Sequence, residues 1–479
     1  MEDKEEYTAD RQPEAAEPGD HESCSQDAAP DGAEVSAADA ELSAAETESA
    51  GPNKKRRTLK LAWYWSLLLV ILAVVITFFA TYGTTYVVNK AYIDQLRVNY
   101  SGRAYYNTAV IDRIKAYYDE YYVGEYGSFD PESYMYLAMD YVLDWDSETI
   151  TDVLASIYVA RSGDKYGAYY NAEDYADLIK SYSGSSVGIG VYVRFDSEAG
   201  YVEVLYVFED GPAYKAGIQA GDYIVGVDGR SFEGMEYEQV LSSIAGEEGS
   251  SATVSVMREG EKLDLPVTRA TYTVRTVFYH MNDDGKTGVI RITSFDDTTP
   301  TQFREAVDSL TEAGAERFVF DLRGNGGGLV RSVLGVLSYI FPKDTPIMRE
   351  VDKNGGEEIQ YSDDDHVMDC PMAVLTDGDT ASASELFTIN MRDYEKAIIV
   401  GEKTYGKGVE QRFFSLPNGG RLKMTCIWYS SVLSDNYDGK GITPDVEAKL
   451  AEEYANVNAF KLEDKNDAVL IAAIENLNK

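Results

Sequence analysis

Histidine is almost missing from this chain: His21, His280 and His366 are all it has in 479 residues, and neither of the last two has a motif around it. The side chain that most often activates a serine or cysteine is therefore scarce, and nucleophilic chemistry here needs another base. Cysteine is as scarce. Cys24, Cys370 and Cys426 exclude a disulfide framework and a cysteine-rich zinc site. Cys370 and Cys426 could pair only if the fold brought them together, and buried free thiols are the expected state. No metal and no cofactor is implied, because the chain beyond residue 82 has no His/Cys/carboxylate cluster at ligand spacing. Positive charge is the third shortage. With 43 Lys and Arg against 82 Asp and Glu the formal charge is -39, and basic residues cluster only once, which argues against nucleic acid or acidic lipid as a partner.

What is present is enough apolar material (44%) to build cores and enough length for about three domains. Residues 1–53, rich in Glu, Asp, Ala and Ser and without apolar periodicity, are expected to be a disordered acidic tail. Lys54-Lys55-Arg56-Arg57 comes next, then an uncharged run from Leu61 to Ala80 with Trp63, Tyr64 and Trp65 near its start, which predicts a single transmembrane anchor over 61–82. The basic cluster on its N-terminal side keeps the tail cytoplasmic and exports the remainder. A cleaved signal peptide is the alternative, but the apolar run is too long, the basic residues lie far from Met1 and no small-x-small site is evident near Thr81.

Residues 92–181 have a helical pattern, with Val110, Ile114, Tyr117, Tyr118 and Tyr121 on one face and Leu137, Ala138, Tyr141 and Val142 on another, and predict a helical collar. Ser162-Gly163-Asp164-Lys165 matches S-x-x-K only formally, since the glycines at 163 and 167 mark a loop. Gly184-Ser185-Ser186-Val187-Gly188 matches G-x-S-x-G, but that elbow must run into a helix, and Ile189-Gly190-Val191-Tyr192-Val193 alternates as a strand. From 185 to 268 the chain is β-rich with glycine turns, and a helix is expected over Glu238–Ile244. From 271 to 460 strand and helix alternate: strands over Thr287–Phe295, Arg317–Leu322, Met372–Leu375 and Ala397–Val400, a helix over Thr301–Ala313, and a glycine loop, Arg323-Gly324-Asn325-Gly326-Gly327-Gly328-Leu329, that lacks the Lys-Ser/Thr ending of a phosphate cradle. The last segment, 461–479, closes with a helix over Ala468–Leu477.

The stretch best equipped for chemistry is Thr380–Gln411. Its small residues, Thr380-Ala381-Ser382-Ala383-Ser384, permit close backbone approach, and the apolar spacing from there on starts a helix. Ser382 then stands at a helix N-terminus, where unpaired N–H groups face an oxyanion. Ser382 with Glu385 is also a capping box, which needs no chemistry at all. With histidine lacking, lysine is the alternative base, made competent when burial favours the neutral amine. Lys407 lies between Gly406 and Gly408, and Gln411 comes four residues later with an amide able to orient it.

Together, Ser-Ala-Ser-Glu, the Gly-Lys-Gly 25 residues beyond Ser382 and the glutamine four further on resemble the carboxyl-terminal processing proteases. Asp321-Leu322-Arg323 with the glycine loop, and Lys440-Gly441-Ile442-Thr443-Pro444-Asp445-Val446, are similar to the same family, although Gly326 stands where the family usually has proline or a small residue. Gly188-Ile189-Gly190-Val191 resembles the carboxylate-binding loop of a PDZ domain, supported by Gly211-Pro212-Ala213 and Ala220-Gly221-Asp222.

The resemblance covers about residues 95–479 and implies a multidomain α+β architecture: a helical collar, then a PDZ-like β-rich domain inserted before an α/β peptidase core. It implies a serine endopeptidase with Ser382 as nucleophile, Lys407 as base and Gln411 orienting it. Ala383 and either Gly327 or Gly328 would form the oxyanion hole, and Gly188, Ile189, Gly190 and Val191 would bind substrate C-termini. Expected partners are proteins or peptides with free C-termini and, through one transmembrane helix, the membrane, with a homo-oligomer left open. The rival expectation is a catalytically inactive membrane-tethered PDZ adaptor.

Overall fold

The computed structural model describes residues 90–96, 106–124, 131–142, 145–196, 201–454, 457 and 459–478, so the expected acidic tail and the expected membrane span over 61–82 lie outside the described residues. Among the described residues no helix is long and apolar enough to cross a membrane.

After helical residues 90–96 come three helices, α1 (Thr108–Tyr121), α2 (Pro131–Val142) and α3 (Ser147–Ala160). The Asn107 and Asp146 side chains cap α1 and α3 by accepting from first-turn N–H groups. Val110, Ile114 and Tyr118 of α1 are buried as the periodicity predicts, and Ile111 with them, but Tyr117 is half-buried and Tyr121 is 37% exposed and stacks on Phe414. In α2 the buried face runs through Met135, Tyr136 and Met139, and Leu137 is 40% exposed. The expected face through Leu137 is displaced because long, adaptable methionines and a tyrosine fill the space against α1 and α3. Nor is the region wholly helical. After α3 a loop leads to β1 (Ala168–Tyr170) and α4 (Ala172–Tyr182), and the run that mimics an elbow is a strand, β2 (Ser185–Gly188).

A five-stranded antiparallel sheet with one short added strand comes next: β3 (Val191–Asp196), β4 (Tyr201–Val207), β5 (Tyr223–Val227), β6 (Arg230–Ser231), β7 (Ser251–Arg258) and β8 (Glu261–Thr268), in the order β3-β4-β5-β7-β8 with β6 on β5. Helices α5 (Pro212–Ala216) and α6 (Tyr237–Ile244) close it over a core that includes Val202, Val204, Ile224, Phe232, Val240 and Val254. Strand β9 (Ala270–Thr273) returns to pair with β2, Gly188 opposite Ala270, so this domain is joined to the rest by a two-stranded neck.

The remaining chain builds two sheets. The first has the order β10-β11-β12-β15-β16-β19: β10 (Val277–Met281) is antiparallel, and β11 (Thr287–Ile292), β12 (Arg317–Asp321), β15 (Met372–Thr376), β16 (Ala397–Gly401) and β19 (Val446–Glu447) run parallel. Its central strands read as unbroken apolar runs because both faces are covered. On one face lie α7 (Thr299–Glu312), α8 (Val330–Ile340) and α9 (Ala383–Asp393), which bury Phe303, Leu337 and Phe387 with Phe320. On the other, Val469, Leu470 and Ala473 of α10 (Ala468–Leu477) pack on Val289, Val319 and Leu375. The second sheet is antiparallel: β13 (Pro346–Asp352), β14 (Glu357–Tyr361), β17 (Val409–Ser415) and β18 (Arg421–Ser430), with β1 on the edge of β18. Leu416, Leu422 and Met424 from its β17–β18 hairpin complete the core of the helical region. Cys370 and Cys426 are both free, Cys426 buried and Cys370 partly so.

Residues 459–467 cross from this core to the β-rich domain. The Phe460 ring lies 4.8 Å from that of Phe278 and 5.4 Å from that of Tyr192, and Lys461 pairs with the fully buried Glu203, which also holds Arg194 at 2.7 Å. Asp464 then pairs with His280 at 2.9 Å, and Asp467 with Arg323 at 2.6 Å.

Candidate active site

Parallel strands deliver the loops at their carboxyl ends to one edge of a sheet, and β12, β15 and β16 deliver three that interlock. In the loop after β12, Asn325 is fully buried: its amide donates to Ile292 O at 2.9 Å, its side-chain oxygen accepts from Gly327 N at 2.9 Å, and its carbonyl accepts from Ala381 N at 3.0 Å. In the loop after β15, the Asp377 carboxylate accepts from Gly324 N and Thr380 N, while Thr380 Oγ1 donates to Leu322 O. The loop after β16 joins them through Tyr405 N, which donates to Thr380 O at 3.0 Å.

Ser382, immediately before α9, has φ 58° and ψ −119°. A β-carbon clashes in that region, so the residue is held there by its surroundings rather than by preference. Gly327 is pressed against it: a β-carbon on Gly327 would lie 2.8 Å from Ser382 Cβ and 3.0 Å from Ala383 N, at a φ of +105° that itself suits only glycine. Ala383 N–H, in the first turn of α9, and Gly328 N–H have no hydrogen-bond partner among the described residues, whereas Gly327 N–H is occupied by Asn325. The Ser382 hydroxyl pairs with that of Tyr429 at 3.2 Å.

Glu385 is fully buried in α9, and its two oxygens take four donors. Ser382 N at 2.9 Å and Lys407 N at 2.7 Å share Oε2, while Thr404 Oγ1 at 2.5 Å and Gly406 N at 2.7 Å share Oε1. The capping box legible in the sequence is therefore present, and the same carboxylate also fastens the lysine loop to the serine helix.

Lys407 Nζ does not hydrogen-bond to Ser382; it lies 4.5 Å above the Tyr166 ring. Burial, followed by repulsion from Lys423, lowers its pKa to about 8, against the opposing pull of Asp164, Asp438 and Glu385. Gln411 does not reach it either: its amide donates to Thr425 Oγ1 at 3.2 Å, and Thr425 donates in turn to Asp164 from N and Oγ1, both at 2.8 Å. Asp164 thus belongs to the site, although the S-x-x-K match that contains it does not act as a dyad. Ser162 Oγ turns back to Val159 O, and Lys165 Nζ donates to Tyr405 OH at 2.5 Å. A cavity of about 530 Å³ opens between Tyr122, Asp164, Tyr166, Tyr405, Trp428 and Asp438. Both described histidines are engaged elsewhere, His280 with Asp464 and His366 stacked on Tyr339.

Gly188, Ile189, Gly190 and Val191 link β2 to β3 in the β-rich domain. Ile189 O and Gly190 O accept from Ala213 N and Phe208 N, while the N–H groups of Ile189 and Gly190 meet no acceptor among the described residues. Phe195 of β3 faces Tyr237 of α6, their rings 5.5 Å apart.

Comparison with known proteins identifies the two domains. Residues 286–448 match the model of peptidase family S41, and residues 203–258 match a PDZ domain. The chain is 30% identical over 322 residues to the carboxy-terminal processing protease CtpA of Bacillus subtilis, covering 67% of this chain and 68% of that one. It is also 30% identical over 342 residues to the "Probable CtpA-like serine protease" of Staphylococcus aureus, covering 70% and 68%. Among solved structures, a putative S41 protease from Bacteroides fragilis matches with a TM-score of 0.51 over 76% of this chain and 97% of that one, at 16% identity, a likeness of fold. The chain belongs to the carboxyl-terminal processing protease family and is a serine-type peptidase with a PDZ domain.

Proposed function

We propose that this chain is a membrane-anchored endopeptidase that cleaves proteins recognised by their free C-termini, with Ser382 as nucleophile and Lys407 as general base. The observation that carries this is the Glu385 carboxylate, whose Oε2 accepts from both Ser382 N–H and Lys407 N–H and so keeps the two residues in one register. A lysine with its pKa lowered to about 8 holds a far larger neutral fraction near neutral pH than an ordinary lysine, and that fraction is competent to take a proton.

In the cycle, the Lys407 amine leaves the Tyr166 ring and takes the Ser382 proton as Oγ bonds to the scissile carbonyl carbon. The ammonium then returns that proton to the departing peptide nitrogen, and water repeats the sequence on the acyl-enzyme. Ala383 N–H is one oxyanion donor. The other comes from the Gly327–Gly328 pair, where Gly328 N–H is free and Gly327 N–H must first leave Asn325. Gln411 orients the base through Thr425 and Asp164, which faces the lysine.

The free N–H groups of Ile189 and Gly190 supply the means to hold a substrate carboxylate while its last residues add to β3 as a strand. The basic cluster 54–57 before the apolar run 61–80 supports a cytoplasmic N-terminus and an extracytoplasmic catalytic domain.

Replacing Ser382 by alanine, and separately Lys407 by alanine, should each abolish turnover of an unstructured peptide while the protein stays folded; comparable activity in either variant rules out the dyad. Labelling of Ser382 by a fluorophosphonate separates this function from that of an inactive adaptor, which no observation favours.

A further inference from the structure

Tyr429 is the one residue among those described whose side chain hydrogen-bonds to the Ser382 hydroxyl. It lies in β18 opposite Glu350 of β13, is 1% exposed, and packs edge-on against the ring of Tyr437 at 6.2 Å. Its oxygen lies 3.2 Å from Ser382 Oγ and 3.4 Å from the carbonyl oxygen of Lys407, and the buried Tyr437 hydroxyl also interacts with it. A phenol has one proton to donate, and two arrangements decide where the serine proton points. If Tyr429 donates to Lys407 O, Ser382 is left to donate to the Tyr429 oxygen, and its proton points away from any base. If Tyr429 donates to Ser382 Oγ, the serine proton is released for an arriving amine. The backbone of Ser382 is fixed in its left-handed conformation, so the hydroxyl's direction is set by its side-chain rotamer and by the partner it finds.

We propose that Tyr429 is a positioning residue for the nucleophile, its O–H donating to Ser382 Oγ so that the serine proton is left for Lys407 to take. This rests on Ser382 being the nucleophile, as proposed above. In the acylation step the Oγ proton passes to neutral Lys407 Nζ, the Oγ–C bond forms and the carbonyl π pair moves to its oxygen; Tyr429 keeps its own proton throughout. Negative charge that accumulates on Oγ as its proton leaves is then met by the Tyr429 O–H. Burial holds that phenol well above the usual range, although the Ser382 hydrogen bond pulls the other way, so it remains a donor at working pH. Satisfying a buried phenol needs only one partner, and Lys407 O would suffice; the shorter of the two contacts is to the reacting atom.

The test is Tyr429→Phe, which keeps the ring and removes the hydroxyl. Its kcat should fall by about tenfold to a hundredfold, KM for a peptide should stay within about twofold, and fluorophosphonate labelling of Ser382 should slow in parallel, with the folded fraction followed by circular dichroism. Incorporating mono- and difluorotyrosine at position 429 keeps ring and hydroxyl and alters only acidity, so kcat should rise with acidity along the series even if Tyr429→Phe folds poorly. A wild-type kcat in Tyr429→Phe, a loss carried by KM or by the folded fraction alone, or a fluorotyrosine series that is flat or falls would overturn the proposal. An active Ser382→Ala would instead overturn the assignment of the nucleophile, so the two failures are distinguishable.

Discussion

Glu385 Oε2 accepts from the backbone N–H of Lys407 at 2.7 Å, and from that of Ser382 at 2.9 Å. One oxygen therefore sets the spacing between the N-terminus of α9 and the loop after β16, with Thr404 and Gly406 held by its twin.

Glu385→Gln replaces one of those oxygens with an amide that brings two more N–H groups to a site already full of donors. Unmatched buried donors cost about 1 to 3 kcal/mol, and this variant should lose stability of that order in chemical denaturation. Its kcat/KM should fall further than the folded fraction does, because serine and lysine lose their common register.

The activity of this enzyme should rise with pH. Only the neutral form of Lys407 accepts a proton, so with its pKa near 8 kcat/KM should climb about tenfold per pH unit below that point and level off above it. Burial is the larger cause of the depression and Lys423 the second. Removing the neighbouring cation in Lys423→Met makes a charged Lys407 less unfavourable, raises its pKa and moves the rising limb to more alkaline pH. A limb that stays in place or moves to acid would show that another group governs the profile.

A peptide with a free C-terminus should be cut faster than its C-terminal amide. Hydrogen bonds from Ile189 N–H and Gly190 N–H to a carboxylate are worth about 1 to 3 kcal/mol, or about five- to a hundred-fold in kcat/KM. Gly188 and Ala270 face each other across the neck, so residues 189–269 can be excised and the ends joined by a short turn. The ratio of the two rates should then approach one, whatever happens to the basal rate. A preference that survives excision would place carboxylate recognition in the peptidase core.

Much of this architecture was legible because its signals are local. Strands β12, β15 and β16 read as apolar runs because both faces are buried, and Ser382 and Lys407 stood out because small residues and glycines surround them. The Glu385 capping box was visible, but not that its carboxylate also reaches Thr404, Gly406 and Lys407, about twenty residues on. Tyr166 carries no local signal because β1, just beyond it in the chain, pairs with Arg421–Lys423 some 250 residues later, a contact that leaves no periodicity in the sequence. Tyr429 is one tyrosine among 37, alternating along a strand like its neighbours, and only the folded chain brings its hydroxyl to Ser382. The displaced face of α2 has a related origin, since tyrosine and methionine leave the apolar stripe of a helix ambiguous where leucine would define it.

The crossing segment around Phe460 bears on how such an enzyme can be rebuilt. The PDZ domain enters and leaves through the β2–β9 neck, yet its exposed Tyr192 and its buried Glu203 are gripped by Phe460 and Lys461, which come from beyond the peptidase core. On the proposed reading peptide preference lies within the insert, whereas part of what fixes the insert's attitude is encoded some 190 residues downstream of the neck. A chimera made by exchanging residues 189–269 alone would inherit the donor's taste in C-termini without its bearing; carrying both requires recoding the 459–467 crossing together with the insert.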